Sequence, residues 1–384
     1  KNKDGKTRRS RSRRTLNHTS IPNTPCQGEQ SIGSASPGRF IKRMSIRVVP
    51  DKKNLSQIGD ISFLEAYGIA TSKSRKTLSG SSEFECKTSK IGEGVYGEVF
   101  LYESQEHKSV IKIIPIEGDA IVNGERQKKF DEILSEIVIA KELHNLRYGD
   151  KHQTHGFVEV KNIRCIKGKY PEKLIDLWKT YDNDKGSEND CPSMFDQDQL
   201  YIVLELGHGG EDLEAFVFPC AVQAYGLFVQ IAAALAVAEQ SLEFEHRDLH
   251  WGNVLISETK DTEVIYCVTE FKLLCIVAII DFTLSRMSYD GCCIFNDLAQ
   301  DPALFMAQGE YQFEIYRLMR DKIGDDWQKF EPYTNILWLH YIIDKMMSLV
   351  RYKRKFFREH REYLRMACNN SMHNRQSDMR MMDL

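Results

Sequence analysis

The hydrophobic pattern of the chain changes at about Phe84. Residues 1–50 are rich in Arg, Ser, Thr, Pro and Gly and almost lack aromatic residues. They bury too little apolar surface to offset the entropy of ordering, so they are predicted to be disordered. Beyond Phe84, runs rich in β-branched and apolar residues predict strands at 90–101, 110–115, 200–205 and 273–280.

Helical spacing of apolar residues is found at 128–145, at 219–240 and from about 310 onward. Residues 179–198 are polar and acidic and are predicted to form a loop. The most apolar stretch, 221–238, is interrupted by Gln223 and Gln230, which favours a buried core helix over a membrane span. A strand-rich portion followed by a helical portion predicts an α+β fold with two unequal lobes and a cleft between them.

Charge is distributed unevenly along the chain. Residues 1–53 hold 14 Lys and Arg against three acidic residues, a net charge of +11; because the whole chain has −3, residues 54–384 carry −14. The basic cluster at 6–14 is either a solvated linker or a patch for nuclear import or DNA phosphates, and the acidic remainder favours the second. An acidic folded part favours basic partners.

We expect a disordered basic leader at 1–53, an N-terminal extension at 54–83, a catalytic domain at 84–368 and a polar tail at 369–384. Ten cysteines without metal-ligand spacing, and a polar start without a secretory signal, indicate a reduced intracellular compartment. The chain begins with Lys rather than Met, so we expect it to be a fragment of a longer protein. We also expect a monomer with no membrane partner.

The most informative stretch is His246-Arg247-Asp248-Leu249-His250-Trp251-Gly252-Asn253. It matches the pattern H-R-D-x-x-x-x-N, which supplies two groups that phosphoryl transfer from ATP requires. Asp248 would accept the proton of the substrate hydroxyl, and Asn253 would offer a neutral oxygen ligand to Mg²⁺.

A glycine-rich sequence, G-x-G-x-x-G-x-V, occupies residues 92–99. Glycines let a hairpin approach phosphates closely, although a plain glycine turn between strands would have the same composition. A Rossmann site would need a helix directly after the third glycine. Because 98–102 continue as a strand, a kinase-type phosphate loop is favoured.

Lys112 stands at the end of a β-branched strand, 15 residues beyond Gly97, where it can hold the α- and β-phosphates of ATP. A charged Lys in a cleft needs a carboxylate partner on the helix that follows. Glu132, Glu136 and Glu142 are the candidates, and Glu136 is preferred.

Asp281-Phe282-Thr283 follows an apolar strand, so Asp281 can bridge Mg²⁺ to the phosphates. Thr283 stands where most kinases have Gly, and it limits backbone freedom because only Gly takes a positive φ freely. The separation of 33 residues from Asp248 to Asp281 predicts an inserted hairpin at 258–272.

No Ala-Pro-Glu motif ends the segment 284–305. We expect this segment to be folded on Phe295, Leu298 and Leu304, and therefore to need no phosphate to order it.

Together these features resemble the haspin family of atypical protein kinases. The resemblance spans roughly 84–365 and is carried by residues 92–99, 244–255, 281–286, 311–319 and 335–341. It implies a bilobal protein-kinase-like fold with haspin-type insertions, an N-lobe at about 84–206 and a C-lobe at about 207–368. It also implies ATP and Mg²⁺ as cofactors. Haspins are nuclear Ser/Thr kinases of mitotic chromatin, and they phosphorylate a threonine near the start of histone three. The resemblance therefore implies the basic N-terminal tail of histone three as the partner. It also implies a location in the nucleus, on chromosomes.

The resemblance also assigns roles. Asp248 would be the catalytic base, Lys112 with Glu136 the phosphate anchor, and Asn253 and Asp281 the Mg²⁺ ligands. The hinge would be 207–212, with the Gly207 carbonyl and the Gly209 amide meeting adenine and Leu206 as gatekeeper. The implied nucleotide-binding residues are Ile91, Gly92, Glu93, Gly94, Val95, Tyr96, Gly97, Glu98, Val99, Lys112, Gly207, His208, Gly209, Gly210, Glu211, Asp212, Asp248, Leu249, His250, Trp251, Gly252, Asn253 and Asp281. The implied substrate-binding residues are Asp212, Glu214, His250 and Glu310.

Two other functions are compatible with part of this pattern. A pseudokinase that serves as a chromatin scaffold would be expected to lack Lys112, Asp248 or Asp281, and all three are present. A small-molecule kinase of the same fold would need a pocket unsuited to a peptide. Family members tend to have two acidic residues before the Tyr-Gln-Phe motif, where this chain has Gln308 and Glu310, so we expect looser selectivity for the flanking basic residue.

Overall fold

A five-stranded antiparallel sheet, in the order β1-β2-β3-β7-β6, forms the first part of the fold in the computed structural model. The strands of this part are β1 (Lys87–Gly94), β2 (Gly97–Glu103), β3 (Lys108–Ile116), the short β4 (Ile121–Val122) and β5 (Glu125–Arg126), β6 (Val160–Lys167) and β7 (Leu200–Gly207). The structure describes residues 87–104, 107–149, 152–259, 275–289 and 291–353. The predicted leader, extension and tail, and most of the predicted insertion at 258–272, lie outside these residues.

The prediction of one strand at 90–101 is wrong, because the glycines divide it into a hairpin. Gly94 pairs with Gly97 across a two-residue turn, and β1 and β2 run antiparallel on either side. A Cβ on Gly97 would lie 2.1 Å from the carbonyl oxygen of Ile113 in β3. Glycine is therefore required there for the hairpin to lie against its neighbour.

The sheet has two faces with different partners. On the outer face, Phe100, Ile111 and Ile113 form a cluster with Leu174 of the helix that follows β6. On the inner face, Ile114 packs with the first helix and the main core. Because successive side chains of a strand point to opposite faces, Lys112 lies on the inner face, between two outer-face isoleucines.

The described helices are α1 (Phe130–Asn145), α2 (Glu172–Lys185), α3 (Ala221–Leu242), α4 (Pro302–Met306), α5 (Tyr311–Ile323) and α6 (Tyr333–Ser348). The predicted loop at 179–198 is wrong over its first part, because α2 continues to Lys185. This helix buries only Leu174 and Trp178. Most of its length is a solvated surface, so its sequence has the polar composition of a loop.

Helix α3 is long and apolar enough to cross a membrane, by length and composition only. Its buried residues include Gln230 and Glu239, both of which hydrogen-bond inside the fold: the Gln230 amide with the backbone of Cys275 and Val277, and Glu239 with Asn335. Such bonding within a packed core is typical of the central helix of a folded domain.

The helical part also contains short strands. They are β8 (Glu211–Asp212), β9 (Val217–Phe218), β10 (Val254–Glu258), β11 (Cys275–Ile279), β12 (Arg286–Tyr289), β13 (Cys292–Phe295) and β14 (Arg351–Tyr352). Strand β10 lies between β11 and β8, and β12 forms a hairpin with β13. Two of the predicted site segments flank this small sheet: the stretch 246–253 ends where β10 begins, and Asp281 follows β11 by two residues.

Candidate functional site

Lys112 of β3 meets Glu136 of α1, with 2.9 Å between the Lys112 Nζ and the Glu136 Oε1. The two alternative partners are used elsewhere. Glu132 accepts from the Lys129 backbone N–H at 2.6 Å and so caps the start of α1, and Glu142 accepts from Asn145 at 3.3 Å. The structure therefore selects Glu136 among the three candidates.

Two carboxylates surround the Lys112 ammonium. Burial acts to lower the pKa of Lys112, but the charges of Glu136 and Asp281 outweigh it and the pKa is raised. For Asp281, burial acts to raise the pKa, but the Lys112 charge and the hydrogen bonds from Thr283 lower it to about 2. Both groups are therefore ionised at neutral pH, as a phosphate anchor and a metal ligand must be.

Thr283 connects these groups. Its Oγ1 lies 2.7 Å from the Asp281 Oδ1 and 3.2 Å from the Glu136 Oε2, and its backbone N–H donates to Asp281. The left-handed conformation at this turn is adopted by Asp281, with φ of 62°, and not by Thr283. The absence of Gly at position 283 thus carries no backbone strain there, and it adds a hydroxyl that no Gly could supply.

Lys128 is a second cation beside Glu136, which sequence reasoning missed. Its Nζ lies 3.6 Å from the Glu136 Oε2 and 4.2 Å from the ring centroid of Tyr96, at the tip of the β1–β2 hairpin. A cavity of about 430 Å³ lies here, with Thr283 and Phe295 also in its wall. The signal in the sequence was weak, because Lys128 sits in a polar stretch before the helix.

Asp248 of the H-R-D stretch is half-buried on the helical side. The Tyr316 hydroxyl of α5 donates to its Oδ1, and the Asn253 Nδ2 donates to its backbone carbonyl at 2.8 Å. Burial raises the pKa of Asp248 to about 8, with the Asp281 charge adding to the shift and the Tyr316 hydrogen bond opposing it. Sequence reasoning missed Tyr316, although it lies in the stretch 311–319 that carried part of the resemblance.

Arg247 is fully buried and has a left-handed φ of 64°. Its guanidinium forms two hydrogen bonds with Glu245, at 3.0 and 3.1 Å, and donates to the backbone carbonyls of Trp327 and Lys329. Glu245 also accepts from the Thr334 hydroxyl at 2.8 Å. This network holds the backbone just before Asp248 in place from the helical core.

Three of the residues predicted to bind the nucleotide have side chains that make contacts within the protein. Glu98, paired in register with Ile113, lies on the outer face of the sheet, opposite Lys112, and binds Lys90 at 2.8 Å. Glu93 pairs with Glu98 and accepts from Lys90 and Ser187. Leu249 is part of the hydrophobic core. The glycine-loop motif includes residues of both faces of its strands, so it takes in Glu93 and Glu98 of the outer face together with the residues of the inner face.

The open space in the glycine-rich loop, defined as residues 92–99, lies at its first two glycines. A Cβ on Gly92 or Gly94 would have no heavy atom within 4 Å, unlike one on Gly97.

The predicted hinge follows β7 as expected, and the Gly207 N–H donates to the Glu159 carbonyl at 2.8 Å. Gly210 needs to be glycine, with φ of 94° and a Cβ position 1.9 Å from the Ile256 carbonyl oxygen.

The predicted Mg²⁺ ligands lie next to each other in the fold. The Ile280 N–H donates to the Asn253 carbonyl, so the residue preceding Asp281 is paired with Asn253. Asn253 uses its Nδ2 on Asp248, so its Oδ1 is the atom of this amide that can accept a cation. Among the described residues no group of three or more His, Cys, Asp and Glu could hold a metal. Two oxygen ligands nevertheless fit Mg²⁺, which is commonly bound by one or two carboxylates together with substrate phosphates.

Two of the predicted substrate residues, Glu214 and Glu310, are exposed carboxylates. Burial raises the pKa of Tyr341, and the charges of Glu310, Glu214 and Asp248 add to the shift. Asp212 accepts from the Ala215 N–H at 2.7 Å and caps a turn. The other predicted residue, His250, has its own local contact, since its Nδ1 accepts from the Gly252 N–H at 3.0 Å.

The segment after Asp281 is packed as expected. It forms the β12–β13 hairpin, a 3₁₀ turn at Leu298–Gln300 and α4. Leu298 is buried, and Phe295 and Leu304 are partly buried against the main core.

The chain was compared with known proteins. The haspin-like kinase domain family matches residues 51–380. The serine/threonine-protein kinase haspin homolog of Drosophila melanogaster is 45% identical over 289 residues, which are 72% of this chain and 51% of that protein. The haspin kinase of Bos taurus is 47% identical over 280 residues, which are 71% of this chain and 36% of that protein. The Arabidopsis thaliana homolog is 42% identical over 275 residues, which are 69% of this chain and 45% of that protein. This chain thus spans about half, or less, of the length of the curated relatives it matches. The family match covers most of the chain, with a protein-kinase-like α+β fold, and the chain therefore belongs to the haspin-like kinase family.

Proposed function

We propose that this chain is a serine/threonine protein kinase that transfers the γ-phosphate of ATP to a threonine in a basic peptide. The observation that supports it most is the continuous chain of contacts from Lys112 through Glu136 and Thr283 to Asp281. Together with the half-buried Asp248, these residues would supply a phosphate anchor, a metal ligand and a proton acceptor.

The sheet part and the helical part would act as the two lobes of the kinase, with ATP between them. Lys112 would hold the α- and β-phosphates, and the backbone of the glycine-rich loop would cover them where Gly92 and Gly94 leave space. Adenine would meet the Gly207 carbonyl and the Gly209 amide, beside Leu206. Transfer would then rest on positioning and electrostatics more than on covalent chemistry by the protein.

Asp248 in its ionised form would orient the attacking hydroxyl and take its proton, so turnover should rise with pH as the carboxyl group, with its raised pKa, loses its own proton at about pH 8. Its Oδ1 is held by Tyr316, so its Oδ2 is the oxygen left for the substrate. Asp281 and Asn253 would hold Mg²⁺, which when bound neutralises charge on the transferring phosphate.

The substrate we favour is the N-terminal tail of histone three. Residues 54–384 have a net charge of −14, and the charges of Glu214 and Glu310 act together with that of Asp248 to raise the pKa of Tyr341. Such carboxylates would pair with the Lys and Arg beside an acceptor threonine. The basic leader would bind DNA phosphates weakly and carry the protein to the nucleus and to mitotic chromosomes.

The test is transfer of radiolabelled phosphate from ATP to whole histones in the presence of Mg²⁺. Label on histone three in the wild-type protein, and none with Asp248→Asn, would support the proposal. A nucleotide thermal-shift assay with and without Mg²⁺ serves as the companion measurement. A stabilising shift without transfer to any protein or peptide would point instead to a pseudokinase that acts as a scaffold.

A further inference from the structure

The glycine-rich loop is held from outside by two asparagines. The Asn189 Nδ2 donates to the backbone carbonyl of Gly94 at 3.0 Å and lies 3.5 Å from that of Gly97. The Asn123 Nδ2 donates to the carbonyl of Val95 at 2.9 Å. The carbonyls around the tip of the hairpin are therefore bonded to side chains from two other segments of the chain.

Asn123 lies in the tight turn between β4 and β5. It is the first central residue of the β4–β5 hairpin, where Asn123 and Gly124 have φ of 56° and 82°. Asn-Gly is the sequence favoured for a type I′ turn, because both residues tolerate a left-handed backbone. The turn thus projects a short amide side chain at the tip of the glycine-rich loop.

The two asparagines are also joined to each other through Asp190. The Asn123 N–H donates to the Asp190 Oδ2 at 2.7 Å, and the Asp190 N–H donates to the Asn123 Oδ1 at 2.7 Å. Because Asp190 directly follows Asn189, both contacts with the loop belong to one connected support.

This support is anchored on the outer face of the sheet, away from Lys112. The Ser187 hydroxyl donates to Glu93 at 2.6 Å, the Glu188 N–H donates to the same carboxylate at 2.8 Å, and Asn189 donates to Glu98 at 2.8 Å. Asn189 itself is 9% exposed. Glu93 and Glu98, which lie on the face of the sheet opposite Lys112, therefore hold residues 187–189 in place, and this segment restrains the glycine-rich loop.

We propose that Asn189 and Asn123 are positioning residues for the nucleotide, which hold the glycine-rich loop in its phosphate-binding shape before ATP arrives. The inference rests on the proposed kinase function. In a trans peptide unit the carbonyl and the N–H point in opposite directions. Holding the carbonyls of Gly94 and Val95 on the supported side therefore directs the N–H groups of Val95 and Tyr96 away from it.

A loop ordered in advance binds more tightly, because the entropy of ordering is not lost on binding. In many kinases the glycine-rich loop closes only when substrate is present. Here the restraint is built from the chain itself, so removing it should weaken nucleotide binding without touching the groups that carry out transfer.

The experiment compares Asn189→Ala and Asn123→Gly with the wild-type chain. Gly keeps the left-handed turn at position 123 and removes only the side-chain amide. Asn183→Ala is the matched control, because Asn183 is exposed on α2 in the same part of the chain. Binding of ADP with Mg²⁺ is measured by calorimetry, and hydrogen exchange of the amides of residues 92–99 is measured without nucleotide.

We expect faster exchange in residues 92–99 for both variants, with unchanged exchange in β3 and β7. We also expect roughly 2- to 10-fold weaker ADP binding, the loss typical of one hydrogen bond that is not fully buried. In steady-state assays the KM for ATP should rise while kcat and the KM for peptide stay the same.

If exchange and ADP affinity in both variants match those of Asn183→Ala, the inference is wrong while the kinase proposal stands. If the wild-type chain binds no ADP, the kinase proposal is wrong, and the exchange measurement alone still decides whether the asparagines restrain the loop. A fall in kcat together with destabilised β3 and β7 would show a general structural role and would also overturn the inference.

Discussion

The chain holds its acidic residues in two contrasting ways. Glu136 is buried and lies within 2.9 to 3.6 Å of Lys112, Lys128 and the Thr283 hydroxyl, and the same hydroxyl joins it to Asp281 at 2.7 Å. The predicted peptide-binding residues Glu214 and Glu310, by contrast, are exposed to solvent, and no cation among the described residues encloses them in this way. The ion pairs of Glu136 are specific and strong because Glu136 and its two lysine partners are largely removed from water, whereas exposed charges act through a field that water and salt weaken.

This difference separates two kinds of functional property. Catalysis should depend on single atoms in the enclosed group around Glu136 and fall by about tenfold or more when one of them is removed. Substrate preference should depend on the summed charge of the exposed carboxylates and change by degrees. Four predictions test that division, beginning with the largest effect.

The largest effect is expected from Asp248→Asn and Lys112→Ala. Loss of the base should lower kcat by about 10²–10⁴-fold, and loss of the phosphate anchor should lower kcat/KM by about 10²–10³-fold. Asp248→Asn places an amide beside the Tyr316 hydroxyl and keeps the shape of the side chain, so the fold should persist. Circular dichroism and thermal unfolding check that point, and near-normal turnover in folded Asp248→Asn protein would remove the assignment.

A smaller effect is expected from Thr283→Val, which keeps the shape of the side chain but removes its hydroxyl. Asp281 and Glu136 would lose the hydroxyl that lies between them, which has a single proton to donate and whose oxygen is 2.7 Å from Asp281 and 3.2 Å from Glu136. We expect about a tenfold lower kcat/KM from a loss of this kind. Thr283→Ser retains the hydroxyl and serves as the matched control. Equal activity of the Val and Ser variants would show that the link between the two carboxylates has no role in turnover.

Much of this enclosed group could be predicted from sequence, for a physical reason. The residues that meet ATP in a kinase have fixed spacing within local motifs, so Lys112, Asp248 and Asp281 could be identified without knowledge of the contacts between them. Helical spacing could not choose between Glu132 and Glu136, because residues four apart lie on the same face of a helix. The contact that separates them is the bond of Glu132 to the Lys129 N–H, which caps the start of α1.

Contacts between distant segments could not be predicted in the same way. Tyr316 reaches Asp248 across 68 residues, and Asn189 reaches Gly94 across 95. No local pattern marks such a contact, because it depends on how helices and loops pack. The end of the helix at 172–185 was predicted as a loop for a related reason, because a solvated amphipathic helix and a polar loop have similar amino-acid composition.

The third prediction concerns the exposed acids and is modest in size. Glu310→Lys and Asp212→Lys should each raise the KM for a basic peptide by roughly 2- to 10-fold, because exposed ion pairs contribute little individually. Gln308→Asp should lower the same KM by adding a charge. The KM for ATP should stay nearly constant in all three.

Salt provides the control for this prediction. The differences between these variants and the wild-type protein should shrink as ionic strength rises, while the Asp248→Asn defect should not. Equal use of acidic, neutral and basic peptides by the wild-type protein would contradict the histone-tail proposal and leave the kinase proposal intact.

The smallest expected effect is that of phosphate removal. In kinases that are switched on by phosphorylation, an arginine receives the new phosphate and orders the activation segment. Arg247 is fully buried here and already bonded to Glu245 and to the carbonyls of Trp327 and Lys329, so it offers no binding site for a phosphate. The segment it would order is already packed, with Leu298 in the core.

Protein made in bacteria and treated with phosphatase should therefore show the same kcat and KM as untreated protein. Mass spectrometry would verify that no phosphate remains. Recovery of activity only after incubation with a second kinase would show that this part of the chain is switched after all, and that its packing in the structure does not decide its activity.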